Sequence, residues 1–297
     1  AIDPNEYYTL YGDGSQQRYD APSQDKLYLK IERGQFYALF GDYDTGLTQT
    51  QLSRYNRTLN GLKSENGGGP VVFTVFAAET PQNFARDEMP GDGTSGLYRL
   101  SQRGIVLNSE KIRIETRDRL HSERIIESRA LTRHIDYDID FSNGTLFFRQ
   151  PVNSRDAVFN PIFIVAEYET LDVADKELNA GGRVGVSLRE GRVQVGVSAI
   201  REQSNLGSGN LGGADLKWKV GKDSEFRVEA ARTSGQAATL SRDGVAWLTE
   251  FEHHSGAYDA LLYARRQAPG FGLNQQNLSA AGQQKVGGNA RLRLDKN

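Results

Sequence analysis

Cysteine is absent from this chain of 297 residues, so it has no disulfide framework and no thiol nucleophile. That absence fits any compartment. No run approaches eighteen consecutive apolar residues, which excludes a membrane-spanning helix. Charge of one sign is missing too: 36 basic residues stand against 38 acidic ones, leaving no electrostatic footprint for nucleic acid. Four histidines and no cysteine give no recognisable Ser/His/Asp or Cys/His constellation, so the expectation is a non-enzyme without cofactor or metal. The opening AIDPNEYYTL lacks a charged n-region and an apolar h-region, so any secretory signal is expected to have been removed or to lie upstream. Apolar residues are scarce, at 37% with a mean hydropathy of -0.58, both low for a compact soluble globule. A transmembrane β-barrel passes all these filters, because each of its strands needs only about ten residues, half of them facing a polar lumen.

What is present is alternation. In GGRVGVSLREGRVQVGVSAIREQSNLGSGNLGGADLKWKV, Gly181 to Val220, the residues Val184, Val186 and Leu188 fall on one side of a strand and Arg183, Ser187 and Arg189 on the other. Glu190–Gly191 turns the chain, Val193, Val195, Val197 and Ala199 resume the apolar side, and Ala214, Leu216, Trp218 and Val220 repeat it. The same period recurs almost everywhere, broken by Gly, Asn, Asp and Ser clusters, so the chain reads as all-β. Past Gly181 the expected strands are Arg183 to Arg189, Arg192 to Ile200, Ala214 to Val220, Glu225 to Arg232, Val245 to Glu252, Ala257 to Arg266 and Gly288 to Leu294. Their connectors alternate between short (Glu190–Gly191, Gly221 to Ser224, His253 to Gly256) and long (Arg201 to Gly213, Thr233 to Gly244, Gln267 to Gly287). Outer-membrane barrels pair short periplasmic turns with longer extracellular loops between antiparallel strands. The pattern therefore predicts antiparallel transmembrane β-barrel strands, with Val195, Val197, Trp218, Val228 and Trp247 facing lipid. Asp215, Lys217, Lys219, Arg227, Glu229 and Glu250 fall on the opposite face as lumen-lining candidates.

The first half repeats the theme. KLYLKIERGQFYALFGDYD predicts a hairpin around Arg33–Gly34 in which Leu27, Leu29 and Ile31 share a face with Phe36, Ala38 and Phe40. SRYNRTLNGLK and VVFTVFAAE supply two further strands. If Arg33–Gly34 is a short-side turn, the strand ending near Glu79 and the one starting at Arg183 meet on the long-loop side. Thr80 to Ala180 then reads as an insertion between neighbouring barrel strands. The division is residues 1–80 as N-terminal barrel strands, 81–180 as an inserted domain and 181–297 as C-terminal barrel strands. Within the insertion, KIRIETRD, ERIIESR, IDYDIDF, TLFFRQP and FIVAEYET are short, bulky strands with close turns, as in a small β-sandwich. Asn143–Gly144 predicts a type I′ hairpin pairing Phe141 with Leu146, Ile139 with Phe148 and Asp138 with Arg149.

A barrel interrupted by a compact β-domain resembles the plan of fimbrial ushers, which carry a plug domain within the barrel sequence. Stretches such as LNSEKIRIETRDR, HIDYDIDFSNGTLFFRQP and FIVAEYE look like large outer-membrane proteins of Gram-negative bacteria. The ending RLRLDKN departs from the aromatic close of finished barrels, and the chain is read as a segment of something longer.

Other motifs have plainer explanations. Asp136, Asp138 and Asp140 alternate onto one solvated strand face without the EF-hand glycine and glutamate, and Gly-Asp turn chemistry accounts for GDYDTG and GDGTSG. His253 and His254 are adjacent on a strand and point to opposite faces, so metal binding is not expected. GSGNLGG lacks the P-loop context and reads as a mobile loop. The leading function is thus a non-enzymatic outer-membrane barrel segment serving as pore, export channel or surface anchor, with the insertion as plug or surface module. Its partners would be outer-membrane lipid, other parts of a larger outer-membrane protein, or exported cargo, and not nucleic acid. The alternative is a soluble protein, secreted or held at the cell surface, that binds as an adhesin or carbohydrate-binding module and packs its valine faces sheet on sheet.

Overall fold

The computed structural model describes residues 28–80, 82–119, 124–171, 177–204, 207–237, 240–273, 275–276 and 281–292. Leu27 and the residues beyond Leu292 lie outside them. Every regular element among the described residues is a strand. The chain begins a meander with β1 (Leu29–Arg33), β2 (Phe36–Asp44), β3 (Thr58–Asn66) and β4 (Val71–Thr80). It then leaves that sheet through β5 (Gln82–Pro90), β6 (Tyr98–Arg99), β7 (Lys111–Arg117), β8 (Ile125–Ala130), β9 (Tyr137–Asp140), β10 (Thr145–Phe148) and β11 (Ile162–Leu171). The meander resumes with β12 (Glu177–Leu188), β13 (Val193–Ser204), β14 (Gly207–Val220), β15 (Ser224–Ala237), β16 (Leu240–Ser241), β17 (Gly244–His254), β18 (Tyr258–Gln267) and β19 (Gln283–Leu292).

In the large sheet β4 pairs directly with β12, from Thr80 opposite Glu177 to Val71 opposite Val186. The order β1-β2-β3-β4-β12-β13-β14-β15-β17-β18-β19 is antiparallel throughout, and β16 pairs β15 outside that path. Closing a barrel requires the two edges to pair. Here β1 and β19 stay apart as edges, so the sheet is open among the described residues. The connections 34–35, 67–70, 189–192, 221–223 and 255–257 fall at one end of the strands, whereas the two-residue connection 205–206, where the sequence suggested a long loop, falls at the other. The excursions 45–57, 81–176 and 268–282 leave from the other.

The excursion makes two smaller sheets, β5-β11-β7-β8 and β6-β10-β9. Period two decides their contact: Ile164, Ala166 and Tyr168 of β11 pack with Leu146 and Phe148 of β10 in one core, leaving Glu167 and Glu169 on the far face.

Three details differ from the sequence reading. The GSGNLGG segment is strand, because β13 and β14 pair as far as Ser204 opposite Gly207. Its glycines make room: a Cβ on Gly213 would stand 2.0 Å from Ser53 Oγ, and one on Gly209 2.5 Å from Leu273. Residues 53–57 of SRYNRTLNGLK belong to a folded excursion, and β3 starts only at Thr58. The β9–β10 hairpin pairs Asp140 with Thr145 and Tyr137 with Phe148, a shift of two residues from the type I′ expectation. Asp140 causes the shift. Its carboxylate accepts from the Ser142 and Asn143 N–H groups at 2.9 and 3.1 Å, closing a four-residue turn in which only Gly144 takes a positive φ, of 65°.

Candidate functional site

The two faces of the large sheet are unlike. On one, Val184, Val186, Val195, Val197 and Trp218 are exposed. The other is covered by residues 45–57, which fold across it as a small hairpin closed by Leu47 N–H to Tyr55 O at 3.0 Å and its reciprocal at 2.8 Å. Tyr55 is fully buried and stacks on Phe76 with centroids 5.5 Å apart, while Leu47 and Leu52 join the same core. Burying each such side chain is worth about 1.5–3 kcal/mol, enough to hold the segment against the wall. Polar contacts fix its register. The Gln51 and Leu52 N–H groups donate to Glu229 at 2.8 and 2.9 Å, and the Asn56 N–H donates to the Gln275 side chain at 2.7 Å.

Between this segment and the short turns lies a hollow of about 460 Å³, lined among others by Glu65, Thr74, Arg183, Gln194, Asp215 and Lys217, with Arg227 and Glu229 at its side. The register places like charges opposite one another, Asp215 against Glu229 and Lys217 against Arg227, which is destabilising unless each is answered. Each is answered. Arg183 pairs with Asp215, the excursion's N–H groups cap Glu229, and Glu225 sits 3.0 Å from Lys217 and 3.3 Å from Arg227. Glu250 joins through Arg227 at 3.4 Å. Arg183 Nε and Asp215 Oδ1 are buried without a hydrogen-bond partner and border the hollow.

Of the six lumen candidates, the structure gathers Asp215, Lys217, Arg227 and Glu229 around the hollow, ties Glu250 to it, and leaves Lys219 exposed at the strand end. Val195, Val197, Trp218, Val228 and Trp247 alternate onto the uncovered face, where Val228 and Trp247 are half-buried and the other three exposed. Arg183 was legible from parity, since it alternates with the valines of its own strand.

A second cluster had no local signal. Arg57, 2% exposed, reaches Glu169 of β11 with Nε at 3.1 Å and Nη2 at 2.7 Å, and Glu202 of β13 with Nη1 at 2.9 Å. Burial opposes its charge, but Glu169, Tyr55 and Glu202 outweigh that and hold the guanidinium well above its usual pKa. One side chain thus joins the covering segment, the smaller sheets and the wall. Beside it the far face of β5-β11-β7 carries a ladder of ion pairs. Arg113 grips Glu167 at 2.9 Å through both Nη atoms, and Arg117 bridges Glu115 at 2.7 Å and Glu88 at 2.9 Å. Arg86 of this ladder donates to the Gln275 carbonyl at 2.7 Å, so the charged face is turned toward the connections that cover the large sheet.

The hollow is lined by polar and charged groups of both signs, and among the described residues no group of three or more His, Cys, Asp or Glu is placed to hold a metal ion. His253 instead stacks on Tyr258 at 4.4 Å and shares a hydrogen bond with Ser224 at 2.8 Å. Comparison of the chain with protein-family models, curated proteins and solved structures finds no match.

Proposed function

We propose that the large sheet is wall of a bacterial outer-membrane β-barrel that acts as a pore, export channel or surface anchor. Residues 81–176 are then a β-sandwich lying over the end from which the long connections leave, as plug or surface module. The observation that carries this reading is the inverted polarity of the sheet. Apolar side chains such as Val197, 56% exposed, and Leu262, 60% exposed, form the bare face, whereas Lys63, Glu229, Glu250 and Arg265 are buried on the covered one. A soluble sheet sets its polar side outward, and a contiguous apolar face marks an interaction with membrane or partner. A barrel wall needs this arrangement, apolar toward lipid and polar toward the lumen.

The test is graded substitution. Val197→Arg should cost about 2–4 kcal/mol near the bilayer midplane, while Lys217→Arg should be nearly silent. Insertion would be read by detergent dependence and heat-modifiable gel mobility. Equal tolerance of arginine on both faces, or recovery of the protein in the detergent-free fraction, would refute the wall and favour a soluble or surface binding protein.

A further inference from the structure

On most strands of the bare face the residues stay largely apolar from the short-turn end, β3 with Asn66, Ser64 and Asn60 being an exception, and on several a polar residue stops the run. On β13 the run Val193, Val195, Val197, Ala199 stops at Arg201; on β15, Phe226, Val228, Ala230 stops at Arg232; on β18, Leu262 and Ala264 stop at Arg266. On β2 and β4 the corresponding residues are the carboxylates Asp42 and Glu79. The boundary is therefore cationic along one sector only. All three arginines are exposed, and among the described residues their side chains have no hydrogen-bond or ion-pair partner.

Between Arg201 and Arg232 the face dips into a shallow hollow of about 550 Å³, floored by Ala180, Ala199 and Gly212, with Asn210 beside Arg201. Arg201 and Arg232 stand on either side of β14, two strand spacings and two residues of register apart, which puts their Cα atoms about 12 Å from each other. Two guanidinium groups at that spacing can close on one tetrahedral anion from opposite sides. Arginine's planar fork suits phosphate oxygens, and Asn210 offers a further donor. Small residues keep the floor open: a Cβ on Gly212 would meet nothing within 4 Å.

We propose that this hollow is a binding site for an anionic, phosphate-bearing lipid headgroup, held by Arg201, Arg232 and Asn210 while the acyl chains run down the apolar band past Val197 and Val195. The site rests on the barrel reading. Lipid is the occupant because the cationic hollow continues directly into that band, and a phosphate ester with attached hydrocarbon satisfies both at once.

The experiment is lipid retention by the full chain reconstituted in phosphatidylcholine vesicles doped with phosphatidylglycerol, read after detergent extraction by native mass spectrometry. Wild type should keep phosphatidylglycerol over phosphatidylcholine by roughly tenfold or more, since each arginine near an anionic surface is worth about fivefold. Arg201→Ala/Arg232→Ala should abolish that preference, and Gly212→Leu should lower it by filling the hollow with both arginines in place. Arg192→Ala, at the short-turn end, should leave it unchanged. Undiminished preference in the double variant would overturn the site, and so would complete displacement of the lipid by millimolar inorganic phosphate, which would point to a free-anion site. Insertion is read separately by heat-modifiable mobility. Inserted protein without lipid preference refutes the site alone, whereas failure to insert refutes the barrel and the site with it.

Discussion

Replacing Arg57 by methionine removes a cation that joins three parts of the fold, and it leaves Glu169 and Glu202 facing a site built for their counter-charge. Both carboxylates are almost fully buried, at 5% and 4% exposure, and both lie within 3.1 Å of the guanidinium. Breaking a buried pair by deleting one partner costs about 3–5 kcal/mol, mostly as the penalty of the charge left behind. For a chain of this size that corresponds to a fall of about 10 °C in the unfolding midpoint. The assay is thermal unfolding followed by circular dichroism at fixed protein and detergent concentration. Limited trypsinolysis at Arg54 should accelerate as residues 45–57 lose their anchor. The double variant Arg57→Met/Glu169→Gln should recover more than half of the loss, because Glu202 keeps Arg242 within 3.9 Å and no unpaired charge remains against β11. An unchanged midpoint in Arg57→Met would show that the cluster contributes nothing net. A double variant no better than the single one would refute the unpaired-charge account.

The ion-pair ladder predicts acid sensitivity. Burial pushes the Glu115 and Glu167 carboxyls up, but Arg113 and its neighbours outweigh it and depress both, so their stabilisation is present above the ordinary carboxylate pKa of about 4.3 and is lost as pH falls through the depressed folded values. Denaturant midpoints should therefore drop between neutral and acid pH, and Glu115→Gln/Glu167→Gln should flatten that profile; an identical slope would count against the ladder. Gly144→Val forces a β-branched residue to a φ of 65° and drives its Cβ to 2.3 Å from the Gln102 carbonyl, so the smaller sheets should lose roughly 2–3 kcal/mol, measurable by urea unfolding. If residues 81–176 plug a lumen, replacing residues 95–170 by a short Gly/Ser bridge should turn a poorly conducting protein in a planar bilayer into a large, weakly selective pore. Unchanged conductance would make the segment a surface module.

Alternation by itself determined which side chains share a face. A side-chain period of two is a local property of any extended chain, so the separation of Val195, Val197 and Trp218 from Asp215, Lys217 and Arg227 follows from sequence spacing alone. The pairing of β4 with β12 was likewise legible, because counting short turns fixes which end of the sheet each strand reaches. What escaped the sequence depended on partners far along the chain. The glycines of GSGNLGG read as a loop, yet they are strand residues kept small because Ser53 and Leu273 press on them from distant segments. Asn143–Gly144 signalled a two-residue turn, but the hydrogen bonds gathered by Asp140 lengthened it. Glu169 and Glu202 stand 112 and 145 positions from Arg57, and the three carry no spacing signal at all. Only tertiary structure brings them together, because the drive to pair a charge arises once folding has taken it out of water.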